Sequence, residues 1–266
     1  MDLQIYQVDS FTNEAFKGNP AGVCITNHGI SEDLMFSIAE EMAVSETAFL
    51  SLDDMRLRWF TPKVEVKLCG HGTLAAAHVL KERGEVQKGD KVDFETASGT
   101  LTALINESTI ELDFPSPIID FEAQLSVELL EHLGVRREDV LSFGVFDSKA
   151  FIELSSEEVL LNLKPNFDAL KQMSGRGVLV TACSSRESLD FVSRYFAPWV
   201  GVNEDPVTGS AHCALNVYWS EKLGKLKLKG FQASERGGYV DTELLPNSRT
   251  KLTGSAVTVI KGIIQV

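Results

Sequence analysis

The fold is decided by a pattern of residues that occurs twice in the sequence. The first copy is RWFTP (58–62) followed by CGHGTLAAAHVL (69–80), and the second is RYFAP (194–198) followed by TGSAHCALNVYW (208–219). Each copy runs from arginine, an aromatic residue and phenylalanine through a proline to a helical segment of small residues that starts at a glycine. The copies begin 136 residues apart, which is too long a period for a solenoid. The repeat therefore predicts two copies of one domain.

Hydrophobic spacing outside the repeat predicts that each half mixes strands and helices. Pro115 and Pro117 interrupt the chain near its middle, so we expect an N-terminal half at 1–117 and a C-terminal half at 118–266. The strand after Lys251 fits either half. The predicted strands are 3–8, 47–52, 57–60, 101–105, 109–114, 178–183 and 257–260, and the predicted helices are 31–42, 72–83, 126–133 and 185–195.

Charge and composition narrow the classes of partner. The chain has 25 basic and 38 acidic residues among 266, and a net charge of -13 repels phosphate backbones, so we expect no nucleic-acid partner. No apolar run is long enough to span a membrane, and the first residues lack the features of a signal peptide. The four cysteines lack CxxC spacing and are expected to be reduced thiols in the cytoplasm.

The two glycine-started helices are candidate anion sites. The first N–H groups of a helix lack intrahelical partners and carry partial positive charge, so they can bind a carboxylate or phosphate. Gly70, Gly72 and Gly209 would let a ligand approach the backbone closely. Ordinary capping and tight helix packing explain either start taken alone, but the presence of the same start in both copies favours binding.

Titratable side chains accompany these helix starts. His71 and His212 lie just inside the two helices, and Asp205 precedes the second one, where it could also be a simple helix cap. Glu46 lies among apolar residues, which would raise its pKa and suit it to proton transfer, although a solvent-facing position in a strand is the alternative. Cys69 at a helix N-terminus would have a lowered pKa and could act as nucleophile or base.

Four segments in order resemble the PhzF-like (phenazine biosynthesis-like) family. They are YQVDSFTNEAFKGNPAGV (6–23), SETAFL (45–50), RWFTP with CGHGTLAAAH (58–62 and 69–78) and FAPWVGVNEDPVTGSAHCAL (196–215). The resemblance implies an α/β (α+β) fold like that of diaminopimelate epimerase. In that fold two pseudo-symmetric halves each wrap a mixed sheet around a central helix, and the site lies in the cleft between them.

The resemblance also implies roles for individual residues. Glu46 would move a proton between carbons of a small carboxylic acid, and His71, Asp205 and Ser210 would complete the catalytic site. It implies an isomerase that needs no metal or organic cofactor and, by family habit, forms a homodimer. The substrate-binding positions it implies are Gly70, Gly72, Thr73, Gly209, Ala211 and His212.

Three other functions are consistent with the same residues. An epimerase or dehydratase would use Cys69, but related two-thiol epimerases carry a cysteine at both helix starts, and the second position here is Thr208. A non-catalytic member of the family would bind a small molecule or a protein. A metallohydrolase on His71, His212, Asp205 and Glu46 is the weakest alternative, because the chain lacks a ligand pair at i, i+4 spacing among them.

Overall fold

A computed structural model describes all 266 residues, and the chain divides into two units. The first unit is Met1–Phe114 together with Lys251–Val266, and the second is Pro115–Thr250. The boundary near Pro115 lies close to the expected one, but residues 251–266 do not belong to the C-terminal half. They join the first unit because the last strand finds its hydrogen-bonding partner on the first strand of the chain.

The first unit is a mixed sheet with two helices. The helices are α1 (Glu32–Met42) and α2 (Gly70–Glu82). The strands are β1 (Asp2–Ser10), β2 (Asn19–Thr26), β3 (Glu46–Ser51), β4 (Arg56–Phe60), β5 (Glu65–Val66), β6 (Lys91–Thr96), β7 (Gly99–Ile105), β8 (Ile110–Pro115) and β17 (Ala256–Gln265).

The sheet of the first unit wraps around α2. β1 pairs antiparallel with β2 on one side and with β17 on the other, β2 pairs parallel with β3, and β3 pairs antiparallel with β4. β4 pairs parallel with β6, which continues antiparallel into β7 and β8. α2 contacts β1, β2, β3, β7 and β17 and is buried without interruption from His71 to Ala77, which explains its run of small residues.

The second unit has the same kinds of element. Its helices are α3 (Val127–Leu133), α4 (Glu157–Leu161), α5 (Phe167–Gln172) and α6 (Gly209–Leu223). Its strands are β9 (Val140–Phe146), β10 (Lys149–Leu154), β11 (Val178–Cys183), β12 (Phe191–Ala197), β13 (Val202–Glu204), β14 (Lys227–Gln232) and β15 (Gly238–Leu245), and β16 (Arg249–Gly254) contains the residue boundary at Thr250.

The strand pairings of the second unit repeat those of the first. β9 and β10 pair antiparallel, β10 and β11 parallel, β11 and β12 antiparallel, and β12 pairs parallel with β14. α6 takes the place of α2: its Ala211, Leu215 and Trp219 pack in one cluster with side chains of β9, β10, β11, β12 and β14. Both units therefore fold as a mixed sheet around a central helix. None of the helices combines the length and apolar composition that crossing a membrane requires.

The repeated arginine and phenylalanine have one structural purpose in both units. The Arg58 guanidinium lies 4.9 Å from the centre of the Phe60 ring and binds both carboxylate oxygens of Glu65 on β5, at 2.7 and 2.8 Å. Glu65 pairs with Phe60 in the β4–β5 ladder, so the motif fixes the short strand that leads toward the helix. The second unit repeats these contacts with Arg194, Phe196 and Glu204.

One predicted helix is wrong. Residues 185–195 contain no helix; Phe191–Ala197 form strand β12, and the residues before it form a turn. β12 lies between β11 on one side and β13 and β14 on the other, and six of its seven residues are buried. Because both faces of the strand are covered, its side chains do not alternate between apolar and polar. Without that alternation, the spacing of its apolar residues also fits a helix, and the sequence therefore predicts one.

Candidate active site

A carboxylate and an imidazole meet at the start of α2 in the first unit. Glu46 is the first residue of β3, and His71 lies in the first turn of α2. The His71 Nε2 atom is 3.3 Å from Glu46 Oε2. The His71 side chain is 8% exposed and that of Glu46 is 21% exposed, so the pair is largely shielded but Glu46 remains reachable from solvent.

Three further polar residues hold His71 in place. The Ser10 hydroxyl donates a hydrogen bond of 2.8 Å to the His71 carbonyl oxygen. Asn19 Nδ2 lies 3.4 Å from Nδ1 of the ring, and Ser45 Oγ lies 3.4 Å from Nε2. None of these three was predicted from the sequence, although all of them lie within the segments that resemble the family.

The structure overturns the expected direction of the Glu46 pKa. Burial alone would raise that pKa, but the hydrogen bond and the charge of His71 outweigh burial and hold it below its ordinary value. For His71 the effects have the opposite sign: burial lowers its pKa, whereas Cys69 and Glu46 raise it. The resulting His71 pKa is well above the ordinary value. Glu46 is therefore ionised, and in that form it can accept a proton.

Cys69 is the N-cap of α2, as its place before Gly70 suggested. Its Sγ accepts a hydrogen bond of 3.4 Å from the Gly72 N–H and lies 3.6 Å from His71 Nδ1. A Cβ on Gly72 would approach Trp59 to 2.8 Å, so only glycine fits there. The expected low pKa of the thiol is wrong, because burial raises the pKa of Cys69. Of the predicted backbone donors, the Gly72 N–H is bound to Cys69 and the Thr73 N–H to the Cys69 carbonyl.

The start of α6 in the second unit lacks such a cap. The N-cap residue Thr208 makes no side-chain bond to the helix, because its hydroxyl donates instead to Asp205 Oδ2 at 2.5 Å. Gln232 binds both the Thr208 N–H and the Asp205 carbonyl oxygen. Asp205 is thus held beside the N-terminus of α6, and Gly209, Ser210 and Ala211 form its first turn.

A buried lysine beside Ser210 has no counterpart in the sequence analysis. Lys149, the first residue of β10, is 8% exposed, and its Nζ donates to Ser210 Oγ at 3.3 Å. It also lies 5.2 Å from the centre of the Phe146 ring, and no carboxylate lies within 4.0 Å of its ammonium group. Burial lowers the pKa of Lys149. An ammonium group with one hydroxyl partner at an uncapped helix end is suited to bind an anion.

His212 is a buried part of α6. It is 0% exposed, its Nδ1 lies 2.9 Å from the Thr208 carbonyl oxygen, and its Nε2 has no hydrogen-bond partner. Burial lowers the pKa of His212 to about 4, whereas the backbone bond to Thr208 opposes that shift. His212 is therefore neutral at neutral pH, with the Nδ1–H donating to the backbone.

We expect His212 to make the protein less stable in acid. Its pKa is about 4 when folded and 6.5 in an unperturbed chain, so the unfolded state binds more protons between these values and stability falls as pH falls from 6.5 to 4. The loss is up to about 3 kcal/mol. His212→Asn keeps a donor for Thr208 but does not titrate, so urea unfolding from pH 7 to 4 should show a smaller loss for this variant. Equal pH slopes for the two proteins would contradict the expectation.

The predicted residues thus lie in two groups, one in each unit. Each group lies at the start of the central helix of its own unit, and each contains a carboxylate and a histidine. The first consists of Glu46, Cys69, Gly70, His71, Gly72 and Thr73, and the second of Asp205, Gly209, Ser210, Ala211 and His212.

Comparison with known proteins identifies the family. The family of phenazine biosynthesis-like proteins, PhzC-PhzF, matches residues 8–262. The chain belongs to this family. An uncharacterized isomerase of Halalkalibacterium halodurans is 48% identical over 98% of each chain. The predicted family is therefore confirmed.

Solved structures confirm the fold as well. A PhzF-family protein of Enterococcus faecalis has a TM-score of 0.92 and 38% identity, with complete coverage of both chains. A predicted epimerase of Pseudomonas aeruginosa, at 19% identity, has a TM-score of 0.77 over 99% of each chain. The fold of this PhzF-family protein is thus of the diaminopimelate-epimerase-like type, as the sequence predicts.

Proposed function

We propose that this PhzF-family protein is an isomerase that moves a proton between carbon atoms of a small carboxylic acid by acid/base catalysis. The observation that carries the proposal is the 3.3 Å contact between Glu46 Oε2 and the buried His71 ring. It supplies an ionised carboxylate, held in one orientation, that is still partly open to solvent. The name of the H. halodurans relative agrees with this class of reaction.

The proposed reaction needs only one group that both accepts and returns a proton. The Glu46 carboxylate removes a proton from one carbon, and the electron pair of that C–H bond enters the conjugated system of the substrate. The resulting Glu46 carboxylic acid then returns the proton to a second carbon. Atoms and electrons balance without a metal or an organic cofactor. His71 is the positioning residue that keeps Glu46 ionised between turnovers.

The second unit supplies groups suited to bind the carboxylate of the substrate. We assign this role to Lys149, to Ser210 and to the uncapped N–H groups at the start of α6. Desolvated ammonium and N–H donors fix an anion strongly, and they also stabilise negative charge that develops on an enol-like intermediate. Asp205, held by Thr208 at the same helix end, is proposed to orient the substrate.

We further propose that the protein acts as a cytoplasmic homodimer on a small molecule, without nucleic-acid or membrane partners. Four free cysteines are usual for a reducing compartment. Ile260 and Ile263 are more than half exposed on β17 and would give a dimer contact its apolar surface.

The experiment that tests the isomerase is solvent deuterium exchange. Cyclic and acyclic unsaturated carboxylic acids, including an amino-hydroxy-cyclohexadiene carboxylic acid, are incubated with the protein in heavy water and examined by proton NMR. We expect loss of a C–H signal for at least one acid. Binding shifts with neither deuterium exchange nor the signals of an isomerised acid would overturn the isomerase and favour a binding protein. Exchange that requires Cys69 and not Glu46 would favour the thiol mechanism.

Substitution of Lys149 tests the proposed anion site. Lys149→Met is expected to weaken binding of the exchanging acid by about 10–100-fold, because a charged hydrogen bond contributes roughly 1.5–3 kcal/mol. Its free energy of unfolding should not fall, since the substitution removes a buried charge that has no carboxylate partner. Lys227→Met, at a side chain that is 78% exposed, is the control. Equal dissociation constants for Lys149→Met and wild type, measured by calorimetry, would remove Lys149 from the site.

A further inference from the structure

Three side chains of the types that commonly bind transition metals converge at the start of α2. Glu46, Cys69 and His71 each place one ligand atom within 4.8 Å of the others. The His71 Nε2 atom lies 3.3 Å from Glu46 Oε2 and 3.8 Å from Cys69 Sγ. They come from a strand and from a helix start, two rigid elements of the first unit.

The spacing of these atoms agrees with tetrahedral coordination. A zinc ion with bonds of about 2.3 Å to sulfur and about 2.0–2.1 Å to nitrogen and oxygen, at tetrahedral angles, holds S and N about 3.6 Å apart and N and O about 3.3 Å apart. The distances of 3.8 and 3.3 Å match these separations within a few tenths of an ångström. Small rotations of the side chains would complete the coordination.

The kinds of ligand select the metal. A thiolate with an imidazole favours zinc and its neighbours in the transition series, whereas magnesium and calcium prefer oxygen ligands alone. Three protein ligands leave one tetrahedral position for water or another small ligand. Asn19 Nδ2 lies 3.4 Å from Nδ1, the ring nitrogen that would face away from the metal, and Ser10 holds the His71 backbone through its carbonyl oxygen.

We propose that Glu46, Cys69 and His71 form a binding site for one Zn²⁺ ion, and that the bound ion inhibits the enzyme. On binding, the Cys69 thiol loses its proton and the protonated His71 ring loses the proton on Nε2. Both protons pass to solvent, bonds form from zinc to Sγ, Nε2 and a Glu46 oxygen, and no oxidation state changes. Zinc occupies the carboxylate that the isomerase needs as its base. The inhibition therefore rests on the proposed function, whereas the binding does not.

The binding test uses Co²⁺ as a spectroscopic probe and Zn²⁺ as its competitor, on the full chain freed of metal by chelation. We expect one equivalent of Co²⁺ to give a thiolate-to-cobalt absorption band that Zn²⁺ displaces and Mg²⁺ does not. Cys69→Ser and Glu46→Gln should weaken Zn²⁺ binding on the order of 100-fold. The matched control is Cys183→Ser, because Cys183 is exposed and lies outside the cluster. Circular dichroism shows whether each variant is folded. If Cys69→Ser is unfolded, the Zn²⁺ affinity of Glu46→Gln is compared with that of wild type instead.

The thiolate-to-cobalt band and the effect of Zn²⁺ on exchange test the two parts of the proposal separately. A band that is retained in Cys183→Ser and lost in Cys69→Ser supports the site, and a band that persists without Cys69, or that requires Cys183, overturns it. Inhibition of deuterium exchange by Zn²⁺, reversed by chelator, supports the second part. Exchange that is unaffected by saturating Zn²⁺ overturns the inhibition. Zinc binding in a protein that binds an acid but neither exchanges nor isomerises it supports the metal site while it overturns the isomerase, so the two failures are distinguishable.

Discussion

Replacement of Glu46 with glutamine is expected to lower the rate of deuterium exchange by about 10²–10⁴-fold. Glutamine has nearly the same shape but does not accept a proton at the pH of the assay. His71 could still donate a hydrogen bond to its amide oxygen, so the local structure should survive. The loss should therefore appear in the turnover rate and leave the dissociation constant of the acid within a few-fold of wild type.

Two variants make this result specific to Glu46. Glu41→Gln makes the same chemical change at an exposed position on α1 and should exchange at the wild-type rate. Cys69→Ala removes the thiol and should leave most of the exchange, because the buried thiol has a raised pKa. A Glu46→Gln rate within tenfold of wild type would contradict the assignment. Loss of exchange in Cys69→Ala alone would move the catalysis to the thiol.

Replacement of Arg194 with alanine is expected to destabilise the protein by about 3–5 kcal/mol. The guanidinium is 13% exposed, binds both carboxylate oxygens of Glu204, and also donates to the carbonyl oxygens of Leu160 and Leu163. Its loss leaves a shielded carboxylate and two carbonyls without these donors. For a chain of this size each kcal/mol lowers Tm by roughly 2–4 °C, which urea and thermal unfolding will measure.

The equivalent arginine of the first unit provides the control. Arg58 is 20% exposed and binds Glu65 and Glu32, whose side chains are 32% and 57% exposed. Because water can solvate those carboxylates, Arg58→Ala should cost only about 1–2 kcal/mol. Replacement of both Arg194 and Glu204 with leucine should recover part of the loss, since no charge is left behind. A double variant as unstable as Arg194→Ala would show that the unpaired carboxylate is not the cause.

The repeat predicted the two units because its residues have the same structural purpose in both. Arginine and phenylalanine recur where a guanidinium stacks on a ring and pairs with a glutamate on the next short strand. The same reasoning would have placed 194–198 in a strand, since 58–62 were already predicted to begin in one. Spacing alone predicted a helix there, because β12 is covered on both faces.

The features that the sequence did not predict depend on contacts between distant residues. The pKa of Glu46 is lowered by His71, which is 25 residues away, and apolar neighbours in sequence suggest the opposite direction. Lys149 meets Ser210 across 61 residues, and nothing near Lys149 in the chain shows that it is buried. Local sequence patterns predict where the helices start. The charged groups around those starts come from strands that are distant in sequence, so only the folded structure shows them.

The pairing of β17 with β1 has a consequence for synthesis on the ribosome. The second unit is continuous in the chain, so all of its residues are synthesised before residues 251–266. The first unit is translated first, yet its β1 edge is unpaired until residues 256–265 emerge, and the backbones of Met1 and Val266 then hydrogen-bond to each other. Folding of this half is completed only after residues 251–266 have left the ribosome.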